Sequence, residues 1–314
     1  MKNTPTAGCL FSGMGGFASG MVAAGYDVRW ANEINRHACA IFRHRLPDVR
    51  LLEQCISTIV PEDLEPVDVI TGGFPCQPFS SIGKRLGFGD GRTDFFFGAL
   101  QIVKVLQPKV LLLENVQAVL GWSDVIIDAI QEVGYHCDTA SFWQANINEL
   151  TGIPQLRKRV IITAFSKAHF SGRPFLLSPQ ICLPVRPLTD FIDTSRKADD
   201  IHYLKTTHRW YEMLEDTMEI GGDLYQVDTY LNKPRRNRTG FCHTLIANHE
   251  KQPFVKDRWG IRRVTPEEAA KLQGFTEQYP FPPGTSRIQK YRAVGNAVCV
   301  GLGKVAGEAV KDLL

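Results

Sequence analysis

The sequence predicts an α/β fold, a sheet flanked by helices, together with a smaller, loop-rich domain. Short apolar runs alternate with helical stretches through the first half, as in a mostly parallel sheet. A glycine-rich turn, Phe11-Ser12-Gly13-Met14-Gly15-Gly16, follows the first apolar run and opens the first helix. After about Phe165 the alternation fades into Pro, Ser and charged residues, which marks the second domain.

Strands are expected at Gly8 to Phe11, Val28 to Ala31, Val67 to Ile70, Val110 to Leu113 and Val160 to Ala164, each a short apolar run. Helices are expected near Gly16–Ala24, Arg36–Arg45, Phe95–Leu106 and Val125–Val133. Gly221-Gly222-Asp223 and Asn232-Lys233-Pro234 signal turns in the middle third. Helical character returns at Thr265-Pro266-Glu267-Glu268, a capped start with Pro in the first turn, and runs to Leu272. A last apolar helix near Ala297 to Val310 follows Gly295-Asn296. No internal repeat is visible.

At 314 residues and 44% hydrophobic, the chain is long enough for one large domain and a smaller one, and is not disordered in composition. It has no run of 18 apolar residues, and Met1 to Thr6 lacks the apolar core of a signal peptide. A soluble, intracellular protein with no membrane partner is expected. The eight cysteines form no Cys-x-x-Cys pair and the eight histidines no ligand-spaced cluster, so neither a metal site nor a disulfide framework is expected. A net charge of +3 is too small to imply a nucleic-acid partner, so the distribution of charge has to decide.

Five segments carry chemistry. Glycines at Phe11 to Gly16 let a ligand approach the backbone, and a helix N-terminus favours a negative group. Their Gly-x-Gly-Gly spacing fails the dinucleotide fingerprint. Glu33, about 20 residues on, is placed to accept bonds from ribose hydroxyls. Dehydrogenases and methyltransferases share that device, and the broken glycine pattern with the cysteine loop favours the second. Cys76 lies in Gly73-Phe74-Pro75-Cys76-Gln77-Pro78-Phe79-Ser80, just past a strand and between two prolines, where a thiol is presented outward. Glu114-Asn115-Val116 ends an apolar strand, where a carboxyl group should have a raised pKa. In Gln155-Leu156-Arg157-Lys158-Arg159, alternation sends Gln155, Arg157 and Arg159 to one face and Lys158 to the other. Taken singly, Cys76 reads as core filler, Glu114 as a solvated loop end and the arginines as a structural ion pair. Together those readings are hard to sustain.

With these motifs in order, the sequence resembles the DNA cytosine-5 methyltransferase family, bacterial type, across nearly the whole chain apart from the middle. The matching segments are the glycine turn, Glu33, Pro75-Cys76-Gln77, Glu114 to Val116, Gln155 to Arg159, Arg262 to Phe275 and Gly295-Asn296-Ala297-Val298. The resemblance implies a Rossmann-like S-adenosylmethionine-dependent methyltransferase sheet (1–165 and 280–314) and a target recognition domain (166–279). It implies methyl transfer to carbon 5 of a cytosine flipped out of double-stranded DNA, through a covalent Cys76–C6 adduct, with S-adenosylhomocysteine as product and no metal. Glu114 would serve N3 of the base, and Arg159, supported by Arg157, its O2. Phe11, Gly13, Gly15, Gly16, Glu33, Ile34, Ile56, Pro75 and Asn296 would contact the cofactor. Cys55 stands where many members have an Asp, and Ile34 where an aromatic residue often stacks on the adenine.

A cytosine inside a duplex is out of reach, so the base must leave the stack. The glycine-rich segment Ser80 to Arg92 is expected to close over it, with Ser80, Lys84, Arg85 and Arg92 at the DNA. From Lys233 to Arg263, nine basic residues face only Glu250 and Asp257. Arg235, Arg236 and Arg238 offer donors for phosphates and guanine edges. Single residues here also fit a merely solvated face. Thr244 would contact the backbone beside the target, and Trp210, Tyr211, Phe241 and Trp259 are expected in the small domain's core. The resemblance places the protein in the bacterial cytoplasm, nucleoid-associated when bound to DNA, and leaves room for a cognate restriction endonuclease as partner. The rivals are a tRNA cytosine-5 methyltransferase and a catalytically silent DNA-binding relative.

Overall fold

The computed structural model describes residues 4–74, 94–172, 182–221, 223–228, 233–275 and 281–314. The chain divides into two compact units. The first comprises Met1–Asn146, Lys158–Ile181 and Ala297–Leu314, and the second Ile147–Arg157 and Cys182–Asn296.

The first unit is built on an eight-stranded sheet: β1 (Thr6–Leu10), β2 (Asp27–Glu33), β3 (Arg50–Glu53), β4 (Val69–Gly73), β5 (Val110–Asn115), β6 (Tyr135–His136), β7 (Phe142–Asn146) and β9 (Lys158–Ser166). The order is β3-β2-β1-β4-β5-β9-β6, with β7 also on β9. Pairing is parallel from β3 to β5 and antiparallel around β9. The chain steps from β1 to β2 in one direction and to β4 in the other, and ligands of open α/β sheets bind at the carboxyl ends beside such a reversal. All six residues of β5 are buried, as its unbroken apolar run requires of a strand covered on both faces. Helices α1 (Gly16–Ala23), α2 (Arg36–Arg45), α3 (Asp94–Leu106) and α4 (Ser123–Glu132) belong to this unit. Asn35 caps α2 by accepting bonds from the amides of His37 and Ala38.

In the second unit, β8 (Gln155–Leu156) pairs with β12 (Cys242–His243), and β10 (Tyr225–Asp228), β11 (Lys233–Arg236), β13 (Phe254–Asp257) and β14 (Gly260–Arg263) form an antiparallel sheet ordered β11-β10-β13-β14. Its helices are α5 (Ile147–Thr151), α6 (Tyr211–Glu215), α7 (Pro266–Leu272) and α8 (Arg287–Asn296). Leu204, Trp210, Leu214, Met218, Phe254 and Ile261 make its core, with Tyr211 packed against them. Phe241 and Trp259 lie outside that core. Each is half-buried under an arginine, Arg238 at 4.7 Å and Arg258 at 4.1 Å from the ring centre.

The last helix, α9 (Val300–Lys311), returns to the first unit against α1. A methyl group added at Gly20 would meet the backbone of Gly303 at 2.6 Å, so the two helices approach along glycine. The unit boundaries differ from the expected 165 and 280. Segment 147–157 belongs to the second unit because Gln155 and Arg157 hydrogen-bond to Leu272, Leu245 and Gly295 there. Segment 281–296 joins it through the bond from Tyr291 to the Val264 carbonyl. The stretch Arg287–Lys311 is long enough to cross a membrane, but its most apolar 18-residue window is 61% buried and the stretch divides between two helices.

Candidate functional site

The glycine turn wraps the carboxyl ends of β1 and β2. Phe11 sits at φ +51°, a conformation costly for a bulky residue, and Gly13 and Gly15 at +56° and +91°. The Ser12 amide donates to the Asn32 carbonyl and the Gly15 amide to Ser12, each at 2.8 Å. Glu33 is held from three sides: Gly13 donates to its Oε2 at 2.8 Å, and the amides of Ile34 and Asn35 to its Oε1 at 2.9 and 2.8 Å. A carboxylate has about four lone-pair sites, so Glu33 anchors the turn and keeps acceptor capacity for a ligand.

The glycines have separate reasons. Gly13 faces open space at the Cβ position, whereas a Cβ on Gly16 would lie 2.0 Å from the Val298 carbonyl oxygen. Gly16, expected at the cofactor, is thus required by the backbone that passes over it. Gly16→Ala is expected to destabilise the protein by about 1–3 kcal/mol through that clash. Gly13→Ala should cost about 1–2 kcal/mol through its positive φ alone. Denaturant midpoints and cofactor titration of the two variants separate packing from binding. Ile34, beside Glu33, is 62% exposed, while Ile56 is 3% exposed within the core.

Beside the turn, β4 and β5 run parallel with Gly73 opposite Glu114. Asn115, buried, donates from Nδ2 to the Phe74 carbonyl at 3.0 Å and accepts the Val116 amide at Oδ1. This amide pins the exit of β4. The Arg159 Nε lies 2.8 Å from Glu114 Oε1, with both side chains 11% exposed, and Arg159 Nη1 donates to the Lys158 carbonyl. The missing side chain of Gly73 leaves room here, since a Cβ would stand 3.4 Å from Glu114 Oε2. The first unit therefore gathers Glu114, Arg159, Gly73 and Asn115 at adjacent strand ends. Asn115 and Val298 matter through backbone contacts invisible to a residue-type scan.

Pro75, Cys76, Ser80, Lys84, Arg85 and Arg92 lie outside the described residues. In the second unit Arg157 is buried and donates to the carbonyls of Leu245 and Gly295 at 3.1 and 3.5 Å. Thr244 donates to the Leu156 carbonyl at 2.8 Å, and Asn296 stands exposed at the end of α8. Gln155 and Arg157 are buried, Arg159 is part-buried and Lys158 is exposed.

The basic segment of the second unit is less free than its charge count. Arg236 is tied to Asp223, 2.9 Å from its Nε. Burial alone would raise the Asp223 pKa, yet the Gly240 amide and Arg236 hold it below the ordinary value. Lys256 pairs with Glu215, and Arg262 is fully buried between Asp257 and Glu268. Arg235 and Arg238 remain exposed with no carboxylate partner among the described residues. No group of three or more His, Cys, Asp or Glu able to hold a metal occurs among those residues.

A family model for the C-5 cytosine-specific DNA methylase matches residues 8–312. Type II methyltransferase M.Bsp6I of Bacillus sp. (strain RFL6) is 31% identical over 97% of this chain and 98% of its own length. Type II methyltransferase M.Eco47II of Escherichia coli is 30% identical over 97% of this chain and 78% of its own. Among solved structures, the S. pombe Dnmt2 methyltransferase has the same fold, with TM-score 0.74 at 20% identity over 98% of this chain and 99% of that one.

Proposed function

This chain belongs to the C-5 cytosine-specific DNA methylase family, and on that premise we propose that Cys76, Glu114 and Arg159 carry methyl transfer to a cytosine flipped out of duplex DNA. The observation that carries this assignment is the Glu114–Arg159 pair at the end of β5, in register with Gly73. Cys76 follows Gly73 by three residues in the sequence, and in this reading its thiol is the nucleophile.

Carbon 5 of cytosine is a poor nucleophile. Attack of the Cys76 thiolate forms an S–C6 bond and moves an electron pair through the ring towards N3 and O2, leaving C5 enamine-like. Glu114, carrying a proton, donates to N3, and the Arg159 guanidinium meets the charge at O2. Once C5 is methylated its proton leaves to a base, the S–C6 bond breaks and the thiolate is regenerated. Arg157, bonded to the carbonyls of Leu245 and Gly295, acts by position.

The open space above Gly13, the spare acceptor capacity of Glu33 and the exposed Ile34 suit the glycine, ribose and adenine contacts of S-adenosylmethionine. When bound, it supplies an electrophilic methyl group on sulfur and leaves as S-adenosylhomocysteine. Phosphate and base contacts fall to Ser80, Lys84, Arg85 and Arg92 and, in the second unit, to Arg235, Arg238 and Thr244. A cytoplasmic enzyme paired with a cognate endonuclease completes the proposal, by analogy with the Type II relatives.

Bisulfite sequencing of DNA from cells expressing the protein tests the reading, because converted and protected cytosines report position and context together. Methyl incorporation into tRNA and none into duplex DNA would overturn it. Glu114→Gln is expected to lower the single-turnover rate about 10²–10³-fold with DNA affinity kept, since the amide cannot give N3 a proton.

A further inference from the structure

We propose that His208, Arg209 and Arg263 in the second unit form a grip for a backbone phosphate of DNA, separate from the Lys233 to Arg238 segment. The inference rests on the DNA reading above and adds to it a contact that joins Arg263, at the end of the basic stretch, to His208 and Arg209 outside it.

Arg263 lies cross-strand from Phe254, with its guanidinium 5.2 Å from the ring centre. Phe254 meets Trp210 edge-on at 6.3 Å, and Arg209 covers Trp210 at 4.4 Å. Two cations are therefore held over one aromatic pair. His208 joins them, its ring 5.3 Å from that of Trp210. The Trp210 amide donates to His208 Nδ1 at 3.3 Å, which places the neutral ring's proton on Nε2 as a free donor.

The Arg263 Nε is buried without a hydrogen-bond partner, and neither Arg263 nor Arg209 has a carboxylate at ion-pair distance among the described residues. Around the cluster stand Arg287, Glu250 and Tyr291, and none of them bonds the guanidinium. An unpaired, half-buried arginine beside a second cation is costly in isolation and is relieved by an anion with several oxygens. Burial, Arg263 and Arg209 together depress the His208 pKa, in keeping with a site that presents unmet positive charge. On a chain of this family, DNA is the polyanion that supplies such oxygens at regular spacing.

The test is the salt dependence of binding to a duplex that lacks the recognition site, with Arg209→Gln, Arg263→Gln and Arg263→Lys. Each Gln variant is expected to flatten the slope of log K against log salt by about 0.9, and Arg263→Lys to restore it. Arg209 is exposed, so its replacement leaves the core intact even where Arg263→Gln unfolds. The His208 ring signals should move when duplex is added. Unchanged slopes in both Gln variants overturn the proposal, as does a loss confined to cognate DNA, which would mean base reading. Ring signals that respond to inorganic phosphate and not to duplex also overturn it in favour of a free-anion site. A wild-type protein that binds no duplex brings down the proposed function too, whereas one that binds with variant-independent slopes brings down this contact alone.

Discussion

Replacing Cys76 by alanine is expected to abolish methyl transfer, lowering the rate about 10⁴-fold or more, while binding of cofactor and duplex persists. Without the sulfur nothing interrupts the aromatic ring, so carbon 5 never gains the electron density to take a methyl group. Groups acting in one covalent step are far from additive, and Cys76→Ala combined with Glu114→Gln should be little slower than Cys76→Ala alone. A duplex carrying 5-fluorocytosine sharpens the test, because fluorine at C5 cannot leave as a proton and the adduct should persist. The wild-type protein is expected to be trapped on it in denaturing gels and the alanine variant not. Methylation at normal speed by Cys76→Ala would remove the covalent route altogether.

The second large effect concerns Arg262, which is 1% exposed. Its guanidinium donates to Asp257 Oδ2, to both oxygens of Glu268 and to the Asp193 carbonyl, at 2.8–2.9 Å. Glu268 also receives the amides of Thr265 and Asp193, so the helix cap and the arginine share one carboxylate. Arg262→Met leaves Asp257 and Glu268 buried without their cation and is expected to cost about 3–5 kcal/mol, read as a lowered denaturant midpoint. Replacing all three together with apolar residues removes the uncompensated charge but still strands the Thr265 and Asp193 amides that Glu268 serves, so only part of the loss should be recovered. A single variant as stable as wild type would show that the acids find other partners.

Arg262 also shows where reading residues in order stops. Counting charges from Lys233 to Arg263 puts it in a basic surface, yet a buried arginine and an exposed one contribute equally to such a count. The apolar runs of β4, β5 and β9 were legible because strands buried on both faces need no alternation. β3, β6 and β7 were missed: Arg50-Leu51-Leu52-Glu53 is short and polar at both ends, Tyr135-His136 is two residues, and Phe142–Asn146 mixes aromatic with amide side chains. At the site, the Glu114 motif and the Arg159 motif pointed to side chains that do meet. Spacing also marked Glu33, but its present partners are three neighbouring amides. Gly16 looked like its neighbours until Val298, far along the chain, passed over it.

That long-range closure bears on how the polypeptide is made. Phe17 and Met21 of α1 are buried against Gly303 and Gly307 of α9, which emerges from the ribosome only after all of Cys182–Asn296. Throughout synthesis of the second unit, the earliest helix carries a bare greasy flank, open to chaperones or to misassociation. A premature stop just before Ala297 would leave that flank uncovered for good, giving an insoluble product even though every strand of the large sheet had been translated.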